Sequence, residues 1–326
     1  MQLAILFWCY KDVRICRDRL QHLRRDNPRT PIYLLFGGEP SEAGAFEESL
    51  AEFFDDFYAF TDAPPDTASD GLQAGFRHGV FWKYAHGDLL ISAWHRDRGH
   101  ELPWDTVVIV QWDMLLFGPV DELFGFLEPG EILFSGLRPV REVEEQWIWT
   151  QHSRPEMRAE YESFLEHVSE RYDYAAEPLC CVAVVMCFPR AFLDRYHQIE
   201  RPALGFLEYR LPIYAQVFGT PIRWEHPYKP WWGAVEGYKL FSSLRALPRE
   251  VWVPTIVVNR ALPSGARIFH PYWRPRPRGV WGWTLALVDS VPRILRAAWS
   301  GWSKRRNAQP GAGPTEVGLS SRKARR

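Results

Sequence analysis

Apolar runs alternate with segments of helical periodicity along the first part of the chain. Runs of consecutive apolar residues predict β-strands at residues 3–10, 31–36, 57–60 and 106–110. Between the first two runs, Val13, Cys16, Leu20 and Leu23 recur every three or four residues, which predicts a helix over residues 12–25. Because alternating strands and helices are typical of βαβ units, we predict an α/β fold with a mostly parallel central sheet flanked by helices.

The run at residues 106–110 has the character of the central strand of that sheet. Its sequence, TVVIV, is β-branched throughout, as expected of a strand covered on both faces. Gln111, Trp112 and Asp113 follow it directly, and a second apolar run and a Gly-Pro break come next. Ligands of open α/β sheets bind beyond the carboxyl ends of the strands, so Asp113 is the first candidate for a functional residue.

The second half of the chain adds further elements and then changes in character. Helices are predicted at residues 155–172 and 189–196, with a fully buried strand (CCVAVVMCF) at 180–188 between them. Residues 279–306 carry apolar and Trp positions near one face and Arg and Lys elsewhere, which predicts a basic amphipathic helix. We therefore predict a globular domain at 1–277, a helix at 278–306 that could anchor the chain to a membrane surface, and a disordered tail at 307–326.

Composition narrows the class of protein. The 326 residues are 46% hydrophobic, which is enough for one large α/β domain. The net charge of -1 and the lack of a basic stripe in the globular part argue against nucleic acid as a partner. Five cysteines without C-x-x-C spacing are expected to be reduced core thiols, which predicts a cytoplasmic location. The N-terminal MQLAILFWCYKD reads as a first strand, without the basic leader of a signal peptide.

The layout of these elements resembles the GT-A fold of nucleotide-sugar-dependent glycosyltransferases. The matching stretch is VVIVQWDMLLFGPVDELF, with Lys83 before it, the buried run CVAVVMCFPRAF after it, and His270 near the end of the domain. In that superfamily a D-x-D motif holds a divalent cation, Mn²⁺ or Mg²⁺, against the diphosphate of the donor. Here Gln111 replaces the first acid, which leaves Asp113 as the one carboxylate of the motif. One or two carboxylates, phosphate oxygens and water can hold a hard cation, so the resemblance still implies a metal ion and a nucleotide-diphosphate sugar.

The resemblance also implies roles for individual residues. The metal ligands would be Asp113 and His270. Contacts with the donor are expected from Gln111, Trp112, Lys83, Asp62 and Asp88. The candidate catalytic residues are Asp113 and Glu208, because GT-A enzymes often carry an acid at a helix start after the second buried strand, and a carboxylate can deprotonate an acceptor hydroxyl.

Structural explanations compete with several of these roles. Asp113 could cap the segment that follows it, and Asp88 could pair with Arg77 or Lys83 instead of contacting the donor. Further along the chain, Arg210 is a candidate contact for acceptor or phosphate. Trp231 and Trp232 could form a wall on which an acceptor sugar stacks, or could pack on the core.

The function expected from the resemblance is transfer of a sugar from a nucleotide-diphosphate sugar to an acceptor hydroxyl. The helix at 279–306 suggests a lipid-linked or cell-envelope acceptor and attachment to the inner face of the plasma membrane. Two alternatives stay open. One is a non-catalytic nucleotide-sugar-binding protein, favoured by the lost acid at Gln111. The other is a nucleotidyltransferase, which the absence of a Gly-rich loop after the first strand disfavours.

Overall fold

The computed structural model describes residues 1–61, 83, 85–233, 235–236, 241–245 and 250–292. The chain divides into two compact units, Met1–Arg276 and Pro277–Arg326. Two residues considered above, Asp62 and Arg77, lie outside the described residues. Of residues 62–84, the structure describes Lys83 alone.

The strands of the first unit form one main sheet and two small ones. In chain order the strands are β1 (Leu3–Cys9), β2 (Ile32–Phe36), β3 (Asp56–Ala59), β4 (Thr106–Gln111), β5 (Leu115–Leu116), β6 (Leu133–Phe134), β7 (Arg138–Pro139), β8 (Leu179–Cys180), β9 (Met186–Pro189) and β10 (Ile268–Phe269). The main sheet has the order β3, β2, β1, β4, β9, β6. Strands β1 to β4 run parallel, whereas β9 is antiparallel to both β4 and β6. This arrangement confirms the predicted α/β fold with a mostly parallel sheet.

The described helices of this unit follow the strands as expected of an α/β protein. They are α1 (Val13–Asp26), α2 (Ala43–Leu50), α3 (Gly87–Asp97), α4 (Val120–Phe124), α5 (Pro155–Tyr172), α6 (Arg190–Tyr196), α7 (Leu207–Val217) and α8 (Val253–Ala261). At the start of α1, the side chain of Asp12 accepts a hydrogen bond from the Ile15 N–H, which satisfies one of the unpaired donors of the first turn. Cys16, Leu20 and Leu23 lie on the buried face of α1, at the spacing that predicted the helix.

Strand β4 is the central strand that the sequence predicted. It lies between β1 and β9, and its residues Thr106 to Val110 are buried. Its register pairs Trp8 of β1 with Gln111, so β1 and β4 end side by side. The residue after each strand therefore lies at the same edge of the sheet, where ligands of parallel sheets bind.

The buried segment at residues 180–188 is not the single strand that the sequence predicted. It contributes to two strands, β8 and β9, which belong to different sheets. Between them the backbone turns, with the Val184 N–H donating to the Val182 carbonyl at 2.7 Å. Apart from Ala183, which is half-buried, the whole segment is buried. The apolar run therefore predicted burial correctly but not conformation.

The core holds all five cysteines as buried, free thiols. Burial raises the pKa of Cys180, Cys181 and Cys187 well above the usual value of a thiol, so these side chains are poor nucleophiles and behave as small apolar groups. This part of the sequence-based prediction, a core of reduced thiols, agrees with the structure.

The second unit is described up to residue 292, and its residues 279–292 form helix α9. Several large apolar side chains of this helix are exposed to solvent: Val280, Trp281, Leu285, Val288 and Val291. Their spacing of one to four residues places them mainly along one side of the helix. Within the described ranges, no helix combines the length and the apolar character that a membrane crossing requires.

Candidate active site

A tight turn at the end of β4 sets the position of Asp113. The Met114 N–H donates to the carbonyl of Gln111, and the Trp112 N–H donates to the carbonyl of Trp8, both at 2.9 Å. The turn is thus tied to the end of β1 as well as to β4. Asp113 is therefore held at the carboxyl edge of the sheet, beside the end of β1.

Strand pairing brings His270 to this turn from the far end of the domain. Strands β5 and β10 are antiparallel and pair Leu115 with Phe269, so the residue after β10 approaches the residues before β5. The Tyr272 N–H extends this pairing by donating to the Asp113 carbonyl at 2.7 Å. As a result, Oδ1 of Asp113 lies 3.4 Å from Nε2 of His270. The two residues predicted as metal ligands are adjacent, although their role stays a prediction.

The other ring nitrogen of His270 fixes how the imidazole faces Asp113. Nδ1 lies 2.9 Å from the carbonyl oxygen of Arg245, which only accepts hydrogen bonds, so Nδ1 carries a proton and Nε2 faces the carboxylate. Burial lowers the pKa of His270, but the Asp113 carboxylate outweighs burial and the pKa is raised. Burial likewise raises the pKa of Asp113, but His270 and Trp273 outweigh it and the pKa is lowered. Asp113 is therefore ionised at neutral pH.

One oxygen of Asp113 is incompletely satisfied. Oδ2 accepts a hydrogen bond from Nε1 of Trp273 at 3.2 Å. Oδ1 is buried and has no hydrogen-bond partner among the described residues, since its 3.4 Å approach to His270 is long for a hydrogen bond. A buried carboxylate oxygen that faces an imidazole nitrogen fits a divalent cation, which takes both as ligands once Nε2 has released its proton.

The protein offers such a cation few further ligands. Among the described residues, no group of three or more His, Cys, Asp and Glu side chains is arranged to hold a metal. Asp113 and His270 would therefore hold a cation only together with oxygens from a substrate and water, which is the usual arrangement for Mg²⁺ bound with phosphates.

A buried arginine holds the segment that follows His270. Nη2 of Arg19 donates to the carbonyls of Tyr272 and Arg274 at 2.8 and 2.7 Å. Nη1 of Arg19 donates to Oδ2 of Asp18 at 2.6 Å, and the Arg276 N–H donates to the same oxygen at 2.8 Å. Arg19 and Asp18 thus dock this segment against α1, which keeps Trp273 and His270 beside Asp113.

Glu208 lies near the same edge, linked to Gln111 through the backbone of Ala183. Oε1 of Glu208 accepts a hydrogen bond from the Ala183 N–H at 2.9 Å, and Nε2 of Gln111 donates to the Ala183 carbonyl at 2.8 Å. Glu208 is partly exposed and stands in the first turn of α7. Desolvation by the surrounding protein raises its pKa to about 7, an effect that the Ala183 hydrogen bond opposes. A carboxylate with this pKa exchanges protons readily near neutral pH.

Two predicted donor contacts have structural partners instead. The Gln111 amide is engaged with Ala183, so its NH₂ group ties β4 to the turn between β8 and β9. The Trp112 ring is only 6% exposed and packs edge-on against Tyr10, with the Lys11 ammonium 4.9 Å from its centre. Trp112 is thus mainly a packing residue of the turn.

Lys83 lies at the carboxyl end of a different strand. Its Nζ donates to the Gly38 carbonyl, two residues after β2, at 2.6 Å. Desolvation lowers its pKa, although Glu39 opposes the change. The ammonium group is therefore at the ligand-binding edge of the sheet but away from Asp113, because β1 lies between β2 and β4.

Asp88 was predicted to contact the donor, and the structure gives it another role. It is 2% exposed, and both of its oxygens bind Arg210, at 2.6 and 2.9 Å. The Tyr196 hydroxyl also donates to Asp88. The ion pair agrees with the structural alternative for Asp88, with a different partner from those considered, and it also engages Arg210, the candidate contact for acceptor or phosphate. A buried carboxylate needs such a partner, and Arg210 supplies two donors.

Of the two alternatives for Trp231 and Trp232, the structure agrees with packing on the core. Trp231 and Trp232 are buried, at 5% and 2% exposure, so neither presents a face to solvent. Trp224, by contrast, is 50% exposed and lines a cavity of about 340 Å³ together with Arg138, Glu236 and other polar residues.

Sequence reasoning missed Arg19 and Trp273. Arg19 stands three residues after Cys16 and four before Leu23, on the apolar face of α1, and that position was the signal for a buried cation. Trp273 gave no such signal, because its contact with Asp113 depends on the pairing of β5 with β10.

The comparisons with known proteins concern the fold. No protein-family model matches the sequence, and no curated protein matches it. Among solved structures, the galactosyltransferase LgtC in complex with donor and acceptor sugar analogues matches with 11% identity and a TM-score of 0.35, over 66% of this chain and 65% of that one. Mouse xyloside xylosyltransferase 1 matches with 13% identity and a TM-score of 0.34, over 68% and 84% of the two chains. A cytidylyltransferase from Leptospira borgpetersenii matches with 12% identity and a TM-score of 0.38, over 82% and 97%.

Proposed function

We propose that this protein is a nucleotide-sugar-dependent glycosyltransferase that transfers a sugar from a nucleotide-diphosphate donor to an acceptor hydroxyl. The observation that carries the proposal is the pair formed by Asp113 and His270 at the carboxyl end of the central strand. Its buried carboxylate oxygen, which accepts no hydrogen bond from the described residues and lies 3.4 Å from His270, stands where an α/β sheet binds nucleotides.

In this proposal Asp113 and His270 hold a divalent cation, Mn²⁺ or Mg²⁺. When bound, such a cation neutralises the charge of the departing diphosphate. The hydrogen bond from Nδ1 of His270 to the Arg245 carbonyl keeps the ring oriented, and the Trp273 indole holds the carboxylate of Asp113. The protein thus supplies a fixed pair of ligands, with the donor and water completing the set.

Glu208 is the residue that we assign to proton transfer. With its pKa at about 7, it is substantially ionised at neutral pH and can accept the proton of an acceptor hydroxyl. The backbone of Ala183 links it to Gln111, two residues before Asp113, so base and donor site are positioned by the same turn. Lys83, at the end of β2, is available to a donor phosphate as a point charge.

The acceptor proposed for this enzyme is a glycan or a lipid-linked sugar. The cavity beside Trp224 has the stacking surface and the polar groups that a sugar requires. The exposed apolar side chains of α9 suit attachment to the cytoplasmic face of a membrane, where a lipid-linked acceptor would be found.

A second candidate function is nucleotide-sugar binding without turnover. It is favoured by the fact that Gln111 takes the place of an acid and uses its amide group in the contact with Ala183. In that case donor would bind at Asp113, but no nucleoside diphosphate would be released.

The test is a panel of nucleotide-diphosphate sugars, assayed for binding by calorimetry and for release of nucleoside diphosphate, with Mn²⁺, with Mg²⁺ and with EDTA. Asp113→Asn is compared with Asp105→Asn, which removes an exposed acid at the opposite end of β4. We expect metal-dependent turnover that falls at least about a hundredfold in Asp113→Asn and is unchanged in Asp105→Asn. Binding without turnover would select the second function, and absence of both with every donor would overturn the proposal.

A further inference from the structure

A second cavity, of about 280 Å³, is lined in part by the residues that directly follow β5. It is lined by Asp26, Phe117, Gly118, Arg260, Arg267 and Arg276. None of the proposed donor or metal residues is among them. Three cations and one anion line the cavity, and Asp26 is already paired with Arg25 at 2.7 Å. The cavity is therefore strongly positive in a protein whose net charge is -1.

Two of the guanidinium groups share one aromatic ring. The Cζ atoms of Arg260 and Arg276 lie 4.5 and 4.3 Å from the centre of the Phe117 ring. Phe117 is itself held by an edge-on contact with Phe269 of β10. These cation–π contacts hold both guanidinium groups beside the same ring, which limits the freedom of their donors before a ligand binds.

The third arginine builds the wall of the cavity. Arg267 donates to the carbonyls of Asn259, Gly265 and Leu262 at 2.8, 3.0 and 2.9 Å, and so closes the turn between α8 and β10. Its guanidinium is used for this turn, but its charge still adds to the field in the cavity.

The acidic side chains near the cavity do not neutralise the positive charge of its arginines. Burial, together with the charges of Arg260 and Arg25, lowers the pKa of Arg276 to about 10, although Asp26 and Asp18 act in the opposite direction. Nη1 of Arg276 is buried and has no hydrogen-bond partner among the described residues. An anion in the cavity would satisfy this donor and relieve the repulsion.

We propose that Arg260 and Arg276, stacked on Phe117, form a binding site for a phosphate group, with Arg267 contributing charge. Planar guanidinium groups bind phosphate oxygens in pairs, and a cavity of this size holds a phosphate with part of its substituent. The phosphate could belong to a soluble molecule or to a lipid headgroup. In the sequence, Arg276 is directly followed by the unit that contains α9. A phosphate from a lipid headgroup is therefore tested separately from soluble phosphate.

The test uses the full-length protein in EDTA and at low ionic strength, so that a cation at Asp113 does not contribute. Inorganic phosphate is titrated by calorimetry. In parallel, co-sedimentation is measured with phosphatidylcholine vesicles that contain or lack phosphatidic acid. The site variant is Arg260→Gln with Arg276→Gln, and the control is Arg14→Gln with Arg154→Gln, which removes the same charge from two exposed positions.

We expect the site variant to bind phosphate, or vesicles with phosphatidic acid, roughly tenfold more weakly than wild type, and the control to bind as wild type does. If the site variant binds inorganic phosphate more weakly than the control, the ligand is a soluble phosphate. If only its binding to vesicles with phosphatidic acid is weaker, the ligand is a lipid headgroup. Equal binding by the site variant and the control in both arms would overturn the proposal. Should the double variant fail to fold, the single variant Arg260→Gln, at an exposed position, gives the same comparison. These outcomes are independent of glycosyl transfer, which is measured with Mn²⁺ at Asp113.

Discussion

Nη2 of Arg210 lies 2.6 Å from Oδ1 of Asp88, and neither side chain is more than 1% exposed. The pair joins α3 to α7 across the core, and Arg210 also donates to the Gly205 carbonyl at 2.6 Å, just before α7 begins. Since Glu208 stands two residues before Arg210, this ion pair fixes the start of the helix that carries the proposed base. It is a structural feature on which the geometry of the site depends.

Replacing Asp88 by Asn should destabilise the protein strongly. The substitution keeps the shape of the side chain but leaves the buried charge of Arg210 without a counter-ion, which costs about 3–5 kcal/mol. The measurement is urea unfolding at pH 7. Glu200→Gln, which breaks the exposed pair with Arg171, is the control and should have little effect because water screens that pair. A similar, small loss in both variants would contradict the role assigned to Asp88.

Gly87→Ala should also destabilise the protein, because a Cβ atom at this position would lie 2.2 Å from the Trp8 ring. The Trp8 ring would have to shift to admit this atom, and its Nε1 is already close to Gly37, where a built Cβ atom would lie 3.2 Å away. The expected loss of unfolding free energy is about 1–3 kcal/mol.

Gly44→Ala provides the matched control for Gly87. Gly44 is in helix α2, and a Cβ atom there would meet nothing within 4 Å. Because Ala has the higher helix propensity, this variant should gain about 0.5–1 kcal/mol. If Gly87→Ala were also neutral or stabilising, the close contact between the Trp8 ring and the start of α3 would be contradicted.

The sequence predicted the elements whose residues are periodic or uniformly apolar. Strand β4 was recognised because Thr106 to Val110 are all β-branched, and α1 because its apolar residues recur at helical spacing. Residues 180–188 were predicted as one strand because their apolar pattern reports burial, whereas the turn at Ala183 depends on hydrogen bonds with Gln111 and Glu208.

The site was less predictable because its contacts join distant parts of the chain. The partner of Asp88 is 122 residues away, and nothing in the sequence near Asp88 distinguishes Arg210 from Lys83 or Arg77 as that partner. Asp113 could be selected from its place after the central strand, but His270 was selected through a family resemblance. Its approach to Asp113 follows from the pairing of β5 with β10, two strands of two residues each, which are too short to be recognised from the sequence.

The raised pKa of Glu208 predicts a specific dependence of stability on pH. The folded-state pKa of about 7 lies above the value of about 4.3 for an unfolded Glu, so the folded protein binds this proton more tightly. This contribution to stability is complete below about pH 4.3 and is lost as the pH rises to about 7. Relative to Glu208→Gln, wild type should therefore become less stable over that range, by roughly 1.4 kcal/mol for each unit of pKa difference. Urea unfolding of both proteins between pH 4 and pH 8 measures the effect, and parallel curves would contradict it.

The same group should control the pH dependence of turnover. If Glu208 accepts the acceptor proton, the rate of transfer rises with pH and levels off above about pH 7. Glu208→Gln retains an oxygen for the Ala183 N–H but cannot take a proton, so the rate should fall by about 10²- to 10⁴-fold. Donor binding should be preserved in this variant, which separates proton transfer from the assembly of the site. A rate that is unchanged in Glu208→Gln would assign the proton to another group.

Helix α9 should bind to membrane surfaces through its exposed apolar side. Trp281 is 80% exposed and Leu285 is 65% exposed, one turn apart, and burying such side chains in the interface of a bilayer is favourable. Replacing both by Ser should weaken co-sedimentation with vesicles of phosphatidylcholine and phosphatidylglycerol by about tenfold or more. Leu262→Ser, which changes a residue of the first unit that is 50% exposed, serves as the control. Equal sedimentation of the two variants would show that the exposed side of α9 is not a membrane-binding surface.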